Sequence, residues 1–369
     1  CGDAAQCLYK WTGASPDAFL DPPLAPEFKR CLHQSYRVPR VIHALAERWI
    51  KRLSRREPKE YLPRDADGLL TRSTASWRYP EPLLRLLDHS MAQDRSTMIL
   101  ATCSYMLLPT IVLLRKHAIP YWNPYRLTEG GWNPLAHGSN KRIMPIDRVL
   151  AFLRPDRGTW EEQSRLWSWD DLSRWMSVLE ARGLLRRGAK AFLEDKKGNE
   201  STFNAEELRS WLERFEGHMS ESEKSITEIE TRIASEPSHA IETVDGSDLE
   251  NLSFHDRTAV QQALDWFLVH CLPERKRTLA FPVAVARRHG GHVLREQPKV
   301  IVGTVHSVKG GEADTVILFP DLSLAGMREW QGAREERDGI IRLLYVALTR
   351  AREELVLCQA ASALAVQVA

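Results

Sequence analysis

A stretch near the start of the chain, residues 2–14 (GDAAQCLYKWTGA), carries side chains that could contact nucleic acid. The amide of Gln6 can hold a water molecule or an oxygen atom. Tyr9 and Trp11 can offer ring faces to unpaired bases, a contact worth roughly 1–3 kcal/mol per stacked base. The alternative for this stretch alone is an aromatic pair buried in a core.

A second stretch, residues 34–39 (QSYRVP), places an aromatic ring beside a fixed cation. Tyr36 offers a stacking surface, and the guanidinium of Arg37 can bind a phosphate through two parallel hydrogen bonds. An arginine at the surface that binds no ligand is the alternative for this pair alone.

A third stretch, residues 303–314 (GTVHSVKGGEAD), follows a predicted strand and suits contact with a polyanion. Small and hydroxylated residues, then Lys309 and two glycines, form a loop whose backbone and side chains can approach phosphates closely. It is not a Walker A loop, because the order Gly-x-x-x-x-Gly-Lys-Ser/Thr occurs neither here nor elsewhere in the chain.

A fourth stretch, residues 342–354, is predicted to be a helix that ends near several arginines. Its apolar residues are expected to face a core, whereas Arg342, Thr349 and Arg350 lie toward its end. A solvated helix end is the alternative for this stretch alone.

Together, in this order and at this spacing, the four stretches resemble motifs III, IV, V and VI of the UvrD/Rep/PcrA helicases of superfamily 1. GDAAQCLYKWTGA is similar to the family's GDxxQxIYxWxGA, and LHQSYRVPRVI to its LxxNYRSxxxI. GTVHSVKGGEAD is similar to TxHxxKGLEF, and RLLYVALTRAREEL to RLxYVxxTRAxxxL. Residues 96–125 also resemble the strand, helix and strand that precede the family's inserted domain, while residues 126–272 show hardly any resemblance.

The resemblance implies an ATP-dependent DNA helicase or translocase in which ATP lies between two RecA-like domains. Gln6 would sense the γ-phosphate and link it to DNA, while Tyr9 and Trp11 would stack on bases of the single strand. Tyr36 would pack on adenine, and Arg37 would reach the γ-phosphate.

The later motifs complete the implied site. Glu312 would bind the ribose hydroxyl, and Thr304 and His306 would lie near the DNA backbone. Arg350 would be the arginine finger, a group typically worth ~10³–10⁵ in rate. The implied partners are single-stranded DNA and duplex junctions, with movement 3′ to 5′ by family analogy.

The chain departs from the family pattern in two respects. Gly311 replaces a leucine and Ala313 with Asp314 replaces an aromatic residue, which predicts a variant turn. The P-loop lysine and the Mg²⁺-binding Asp-Glu pair are absent; in the family they precede the Gly-Asp that Gly2 and Asp3 match. We therefore expect a missing N-terminal RecA-like domain to hold the phosphates and Mg²⁺, and the chain alone to be inactive.

The alternation of elements predicts an α/β fold, a RecA-like parallel sheet with flanking helices, interrupted by a mainly helical inserted subdomain. Residues 1–26 would be a mobile or poorly packed remnant of the first domain with a connector. Residues 27–125 and 273–369 would form the second RecA-like domain, and residues 126–272 the insertion. Strands are predicted at 96–103, 119–125, 299–304, 315–319 and 354–358, and helices at 41–50, 205–234, 256–272, 275–289 and 338–352.

The composition predicts a globular, cytoplasmic protein. Hydrophobic residues make up 43% and charged residues 27%, and no uncharged apolar run approaches the ~18 residues needed to span a membrane. The net charge of +2 requires any nucleic-acid contact to come from local patches. The six scattered cysteines include no C-x-x-C pair, so neither a disulfide framework nor a metal site is expected.

Two other protein classes remain as alternatives. One is a non-catalytic, degenerate motor half that binds single-stranded DNA or a protein. The other is a helicase-nuclease of the RecB kind, which would need clustered acidic residues after Glu354 that the chain does not supply. The insertion is a possible contact for duplex DNA or a protein partner. The motor interpretation requires Arg37 and Arg350 to converge on one terminal phosphate.

Overall fold

The computed structural model describes residues 3–9, 13–21, 27, 30, 32–56, 60–124, 131–138, 142–153, 167–180, 188–196, 198, 202–203 and 254–368. The chain divides into two compact units. The first comprises residues 1–117, 121–127 and 298–369, and the second comprises residues 118–120 and 128–297. Within the residues described, no helix combines the length and hydrophobicity that crossing a membrane requires.

The elements are labelled in chain order. The helices are α1 (Asp17–Leu20), α2 (Arg40–Ile50), α3 (Leu83–Ala92), α4 (Leu108–Lys116), α5 (Pro145–Leu153), α6 (Trp169–Met176), α7 (Ala189–Asp195), α8 (Phe254–Val269), α9 (Pro273–His289), α10 (Leu324–Gln331) and α11 (Arg334–Leu348). The strands are β1 (Gln34–Pro39), β2 (Leu62–Arg64), β3 (Leu69–Ser73), β4 (Thr97–Ala101), β5 (Tyr121–Trp122), β6 (Trp167–Ser168), β7 (Thr202–Phe203), β8 (Val300–Thr304), β9 (Ala313–Leu318) and β10 (Ala351–Cys358). Short 3₁₀ helices span Ala4–Gln6, Ser104–Leu107 and Gly291–Arg295.

The first unit is built on a six-stranded sheet in the order β3-β10-β9-β4-β8-β5, and every neighbouring pair is parallel. All five residues of β4 are buried, as in a strand covered by helices on both faces. This sheet confirms the predicted α/β class and is consistent with a RecA-like fold. Strands β1 and β2 form a separate parallel pair.

One face of the sheet is covered by α2 and α11, which share a core with β9 and β10. Helix α2 buries the positions that its helical spacing predicted, Ile42, Leu45, Ala46 and Trp49. Trp49 fixes this layer: its ring stacks on Trp330 of α10 at 5.8 Å, and its indole N–H donates to the carbonyl of Ile341 at 2.8 Å.

The end of α11 differs from the prediction. The helix stops at Leu348 and β10 begins at Ala351, so Arg350 lies in the connection rather than inside a helix that reaches residue 352. The pairing of β10 with β9 begins at Ala351 opposite Ala313, which requires extended backbone where the helical pattern predicted another half turn. Arg342 lies within α11 and is buried, not near its end.

The expected poor packing at the start of the chain is wrong for residues 3–9. Ala5 and Leu8 are buried in the same core as α2 and α11. The carbonyl of Ala4 accepts a hydrogen bond at 3.1 Å from Nε of Arg342. Residues 3–9 therefore pack against the rest of the first unit through two buried side chains and a hydrogen bond to the backbone of Ala4.

In the second unit the described elements are α5 to α9, the Gly291–Arg295 turn and the antiparallel pair β6–β7. Its boundary falls at residue 297, whereas the sequence placed it at 272. The difference is α9, which packs on α5 and α8 and buries Leu279, Phe281 and Val283. Residues 205–234, predicted as a long helix, lie outside the described residues.

Candidate functional site

Arg350 is the most buried charged side chain of the predicted site, with 1% of its surface exposed. Its Nε donates to the carbonyl of Val346 at 2.9 Å, and its Nη1 donates to the carbonyl of Gly311 at 3.1 Å. Its Nη2 faces the side-chain oxygens of Thr349 at 3.3 Å and of Gln6 at 3.4 Å. All of these partners are neutral, so the guanidinium is held rigidly without being neutralised.

Burial lowers the pKa of Arg350 to about 10, and repulsion by Arg37 contributes in the same direction. The group is still protonated near pH 7. Among the described residues no carboxylate forms a direct ion pair with it, and the attraction of Glu312 offsets only part of the effect of burial on its pKa. A buried charge is costly unless it is paired, and such perturbed groups are concentrated at functional sites. The arrangement therefore suits an anionic ligand.

Arg37 and Glu312 lie beside Arg350. Arg37, on β1, approaches Oε2 of Glu312 at 3.8 Å through Nη1. Glu312 directly follows Gly311, which accepts a hydrogen bond from Arg350. With the repulsion noted above, these contacts locate both guanidinium groups in one region of the first unit. Within the described part of the chain, Nε of Arg37 is buried and has no hydrogen-bond partner.

Arg352 is part of this cluster and was not among the predicted site residues. Its Nη1 lies 3.3 Å from Oε1 of Glu312, and its Nε lies 3.7 Å from Oδ1 of Asp314. Burial opposes ionisation of Asp314, but hydrogen bonds from Ser96 and the nearby Arg352 hold its pKa below the usual value. The TRAR sequence was the available signal, because its two arginines flank Ala351, which the structure shows to be the first residue of β10.

Gln6 joins the start of the chain to Arg350. Its Nε2 donates to Oδ2 of Asp3 at 3.0 Å, while its Oε1 accepts from Arg350. The Asp3 carboxylate also accepts from the backbone N–H of Ala5 at 3.0 Å and caps the Ala4–Gln6 turn. The amide therefore has a fixed orientation beside the arginine.

Tyr9, His306 and Lys309 form a second group of predicted residues. The Tyr9 hydroxyl donates to the carbonyl of His306 at 2.9 Å, and the Lys309 ammonium lies 4.9 Å from the centre of the Tyr9 ring. Burial lowers the pKa of His306, so its imidazole is neutral at pH 7. Thr304 ends β8, and its Oγ1 accepts from the N–H of Ser307 at 3.3 Å.

Of the two remaining aromatic residues of the predicted site, the structure describes Tyr36 and not Trp11. The Tyr36 side chain is 87% exposed on β1, so its ring is accessible to a planar ligand. Trp11 lies outside the described residues. Among the residues that are described, no group of three His, Cys, Asp or Glu side chains could hold a metal ion.

Residues 299–358 match the sequence profile of the family described as UvrD-like helicase C-terminal domain. The matched segment runs from β8 to β10 and includes Thr304, His306, Glu312 and Arg350. Over this segment the chain carries a UvrD-like helicase C-terminal domain, consistent with the C-terminal portion of a UvrD/Rep/PcrA-like superfamily 1 helicase. No curated protein matches the chain in sequence. The family indicates a helicase role and nucleic-acid binding.

Proposed function

We propose that this chain is the C-terminal part of an ATP-dependent DNA helicase or translocase that moves along single-stranded DNA, 3′ to 5′ by family analogy. The first unit would supply one wall of the nucleotide site, with Arg350 as the arginine finger. The observation that carries this proposal is the buried guanidinium of Arg350, which has only neutral partners among the described residues and lies next to Arg37.

The chemistry follows from where charge develops. As a phosphoryl group is transferred, negative charge spreads over its oxygens, and a preorganised cation in a dry site stabilises that charge strongly. Arg350 and Arg37 would act on the terminal phosphate, Glu312 on a ribose hydroxyl and Tyr36 on the adenine ring. Thr304 and His306 would contact the DNA backbone.

In this proposal a separate domain would supply the phosphate cradle and Mg²⁺. The sequence has no Walker A pattern, and no described cluster fits a metal ion. We therefore assign Mg²⁺ to a second RecA-like domain that carries a P-loop and faces Arg350 across the nucleotide.

Gln6 offers a route by which nucleotide and DNA would be coupled. It contacts Arg350, and three residues later Tyr9 contacts the His306 loop. A shift of Arg350 on phosphate binding would act on the short segment that carries Tyr9. Cleft closure and opening would then move bases past this ring.

A non-catalytic DNA-binding module is the second candidate, favoured by the absence of a Walker A pattern. The two candidates differ in DNA-stimulated ATP hydrolysis by the full-length polypeptide that contains these residues. Hydrolysis that depends on Arg350 supports the motor. Tight binding of single-stranded DNA without such hydrolysis supports the module.

Residues 1–369 alone are expected to release no phosphate from ATP above background, with or without single-stranded DNA. The reason is that nothing in the sequence forms a phosphate cradle. The measurement is steady-state phosphate release by the purified chain. Robust turnover that Arg350→Ala abolishes would overturn this expectation.

Tyr9→Ala is expected to weaken binding of a single-stranded oligonucleotide about 5- to 150-fold, the loss of one stacked base. Fluorescence anisotropy with a labelled oligothymidylate measures the effect. Tyr9→Phe is the matched control, because it removes the hydroxyl bonded to His306 and retains the ring. Equal losses for both variants would show that the hydroxyl, not stacking, is what matters.

A further inference from the structure

Three aromatic side chains outside the four motifs lie on the first unit, in the segments that follow the carboxyl ends of β3 and β4. Trp77 and Tyr79 follow β3, and Tyr105 follows β4. The rings of Trp77 and Tyr105 meet edge to face, with centres 5.7 Å apart and planes at 87°. Tyr79 is 71% exposed and Tyr105 is 45% exposed. We call Trp77, Tyr79 and Tyr105, together with Arg78, the aromatic platform.

Backbone hydrogen bonds hold the turn of the aromatic platform that carries Trp77, Arg78 and Tyr79. In the turn after β3, the N–H of Ser76 donates to the carbonyl of Tyr79 and the N–H of Tyr79 donates to the carbonyl of Ser76, both at 3.1 Å. The carbonyl of Ala75 accepts from the N–H of Gln359 at 2.8 Å, which ties the turn to the end of β10. The backbone of the turn that carries Trp77, Arg78 and Tyr79 is thus held in place, which lowers the backbone entropy lost when a ligand binds there.

A cation accompanies the rings. The Arg78 guanidinium carbon lies 5.1 Å from the centre of the Trp77 ring. Burial raises the pKa of the Tyr105 hydroxyl, whereas the positive charge of Arg78 acts in the opposite direction, so Arg78 is also near Tyr105. Exposed ring faces with an adjacent guanidinium match a nucleotide, which has a flat base and an anionic phosphate.

The position of the aromatic platform favours a nucleic acid over a protein segment. Ala101, the last residue of β4, pairs with Thr304, and its carbonyl accepts from the N–H of Val305 at 3.1 Å. The loop that carries Tyr105 therefore starts beside the loop that carries the proposed DNA contacts. The exposed side chains of Leu108 and Val112 continue an apolar face along α4, and they define the competing protein-binding hypothesis.

We propose that the aromatic platform is an additional subsite for single-stranded nucleic acid, in which an unpaired base stacks on the exposed tyrosine rings and Arg78 pairs with a phosphate. The proposal rests on the proposed function, because it extends the same DNA track beyond Thr304. The track would thereby span the ends of β8, β4 and β3.

The test is oligonucleotide binding by the chain with Tyr79→Ala and Tyr105→Ala. Each variant is expected to lose about 5- to 150-fold in affinity for a long oligothymidylate, and to lose nothing for an oligonucleotide too short to extend past the Tyr9 site. Tyr79→Phe and Tyr105→Phe should keep wild-type affinity, since they keep the ring. Leu69→Ala, an exposed apolar residue at the other end of β3, is the matched control and should have no effect.

Two direct measurements complete the test. An oligonucleotide that contains 5-iododeoxyuridine should photocross-link to Trp77, Tyr79 or Tyr105, as located by mass spectrometry. Arg78→Gln should lower the slope of log affinity against log salt by about 0.7, the value for one phosphate contact on a single strand.

The outcomes separate this proposal from the proposed function. If Tyr9→Ala weakens binding while the platform variants, the cross-links and the Arg78 slope show no effect, the platform proposal is wrong and the proposed function stands. If the wild-type chain binds no single-stranded DNA, the platform proposal is wrong, whereas the proposed function is decided by Arg350-dependent ATP hydrolysis of the full-length polypeptide. Losses for Tyr79→Ala and Tyr105→Ala that the phenylalanine variants share would also count against stacking.

Discussion

Arg350→Ala is expected to lower kcat for DNA-stimulated ATP hydrolysis by ~10³–10⁵, the range known for arginine fingers. The measurement uses the full-length polypeptide that contains these residues, at saturating ATP and single-stranded DNA. The effect is large because the guanidinium is fixed by Val346 and Gly311 before the reaction begins. A preorganised charge stabilises the transition state without reorganisation at the moment of transfer.

Two controls define the origin of this loss. Arg350→Lys keeps the charge but removes the planar fork that satisfies two carbonyl oxygens at once, so partial activity is expected. Arg334→Ala removes an exposed arginine in the first turn of α11 and should leave kcat unchanged. A loss of less than tenfold in folded Arg350→Ala would contradict the arginine-finger assignment.

Trp49→Ala is expected to destabilise the first unit by roughly 3–5 kcal/mol, as for other large aromatic residues truncated in a core. Trp49 is 1% exposed, its ring stacks on Trp330, and its N–H bonds to Ile341. The change removes the packing between α2, α10 and α11 at one point. Urea unfolding measures the change in the free energy of unfolding. Because a chain of two units need not unfold in one step, hydrogen exchange of the α2 and α11 amides then reports on the first unit by itself.

The matched variants for this prediction separate packing from hydrogen bonding. Trp49→Phe keeps a ring and loses the indole N–H, so a smaller destabilisation, about 1–3 kcal/mol, is expected from the lost hydrogen bond to the carbonyl of Ile341 and from the lost volume. Trp330→Ala removes the partly buried partner and should cost less than Trp49→Ala. Equal stability of Trp49→Ala and wild type would show that this layer does not hold the unit together.

The sequence alone predicted the elements whose signal is local. The apolar run in β4 and the helical spacing in α2 reflect burial of particular faces, so both elements form close to where the pattern indicates. The order of small, charged and aromatic residues in the four motifs indicated the family. The profile match at 299–358 confirms it for the last two motifs.

The boundaries that the sequence missed depend on contacts between distant residues. α11 ends at Leu348 because β10 must pair with β9 from Ala351 onward, and no local pattern encodes that pairing. Likewise, α9 belongs to the second unit because it packs on α5 and α8. At the end of α11 a local helical signal is overridden by tertiary pairing, whereas α9 forms where the sequence predicts it and only its packing partners assign it to the second unit.

For the candidate site, the sequence by itself determined which side chains are present and their order along the chain. Only the tertiary structure decided that Arg37 and Arg350, more than 300 residues apart, share the neighbourhood of Glu312, and that Arg352 joins them. The same holds for the aromatic platform, whose rings come from two strands that are not neighbours in the sheet. The physical reason is that the parallel sheet aligns the ends of strands that are distant in sequence, and that β1, which pairs with β2 outside this sheet, packs beside β10, so these charge and ring contacts form only in the folded unit.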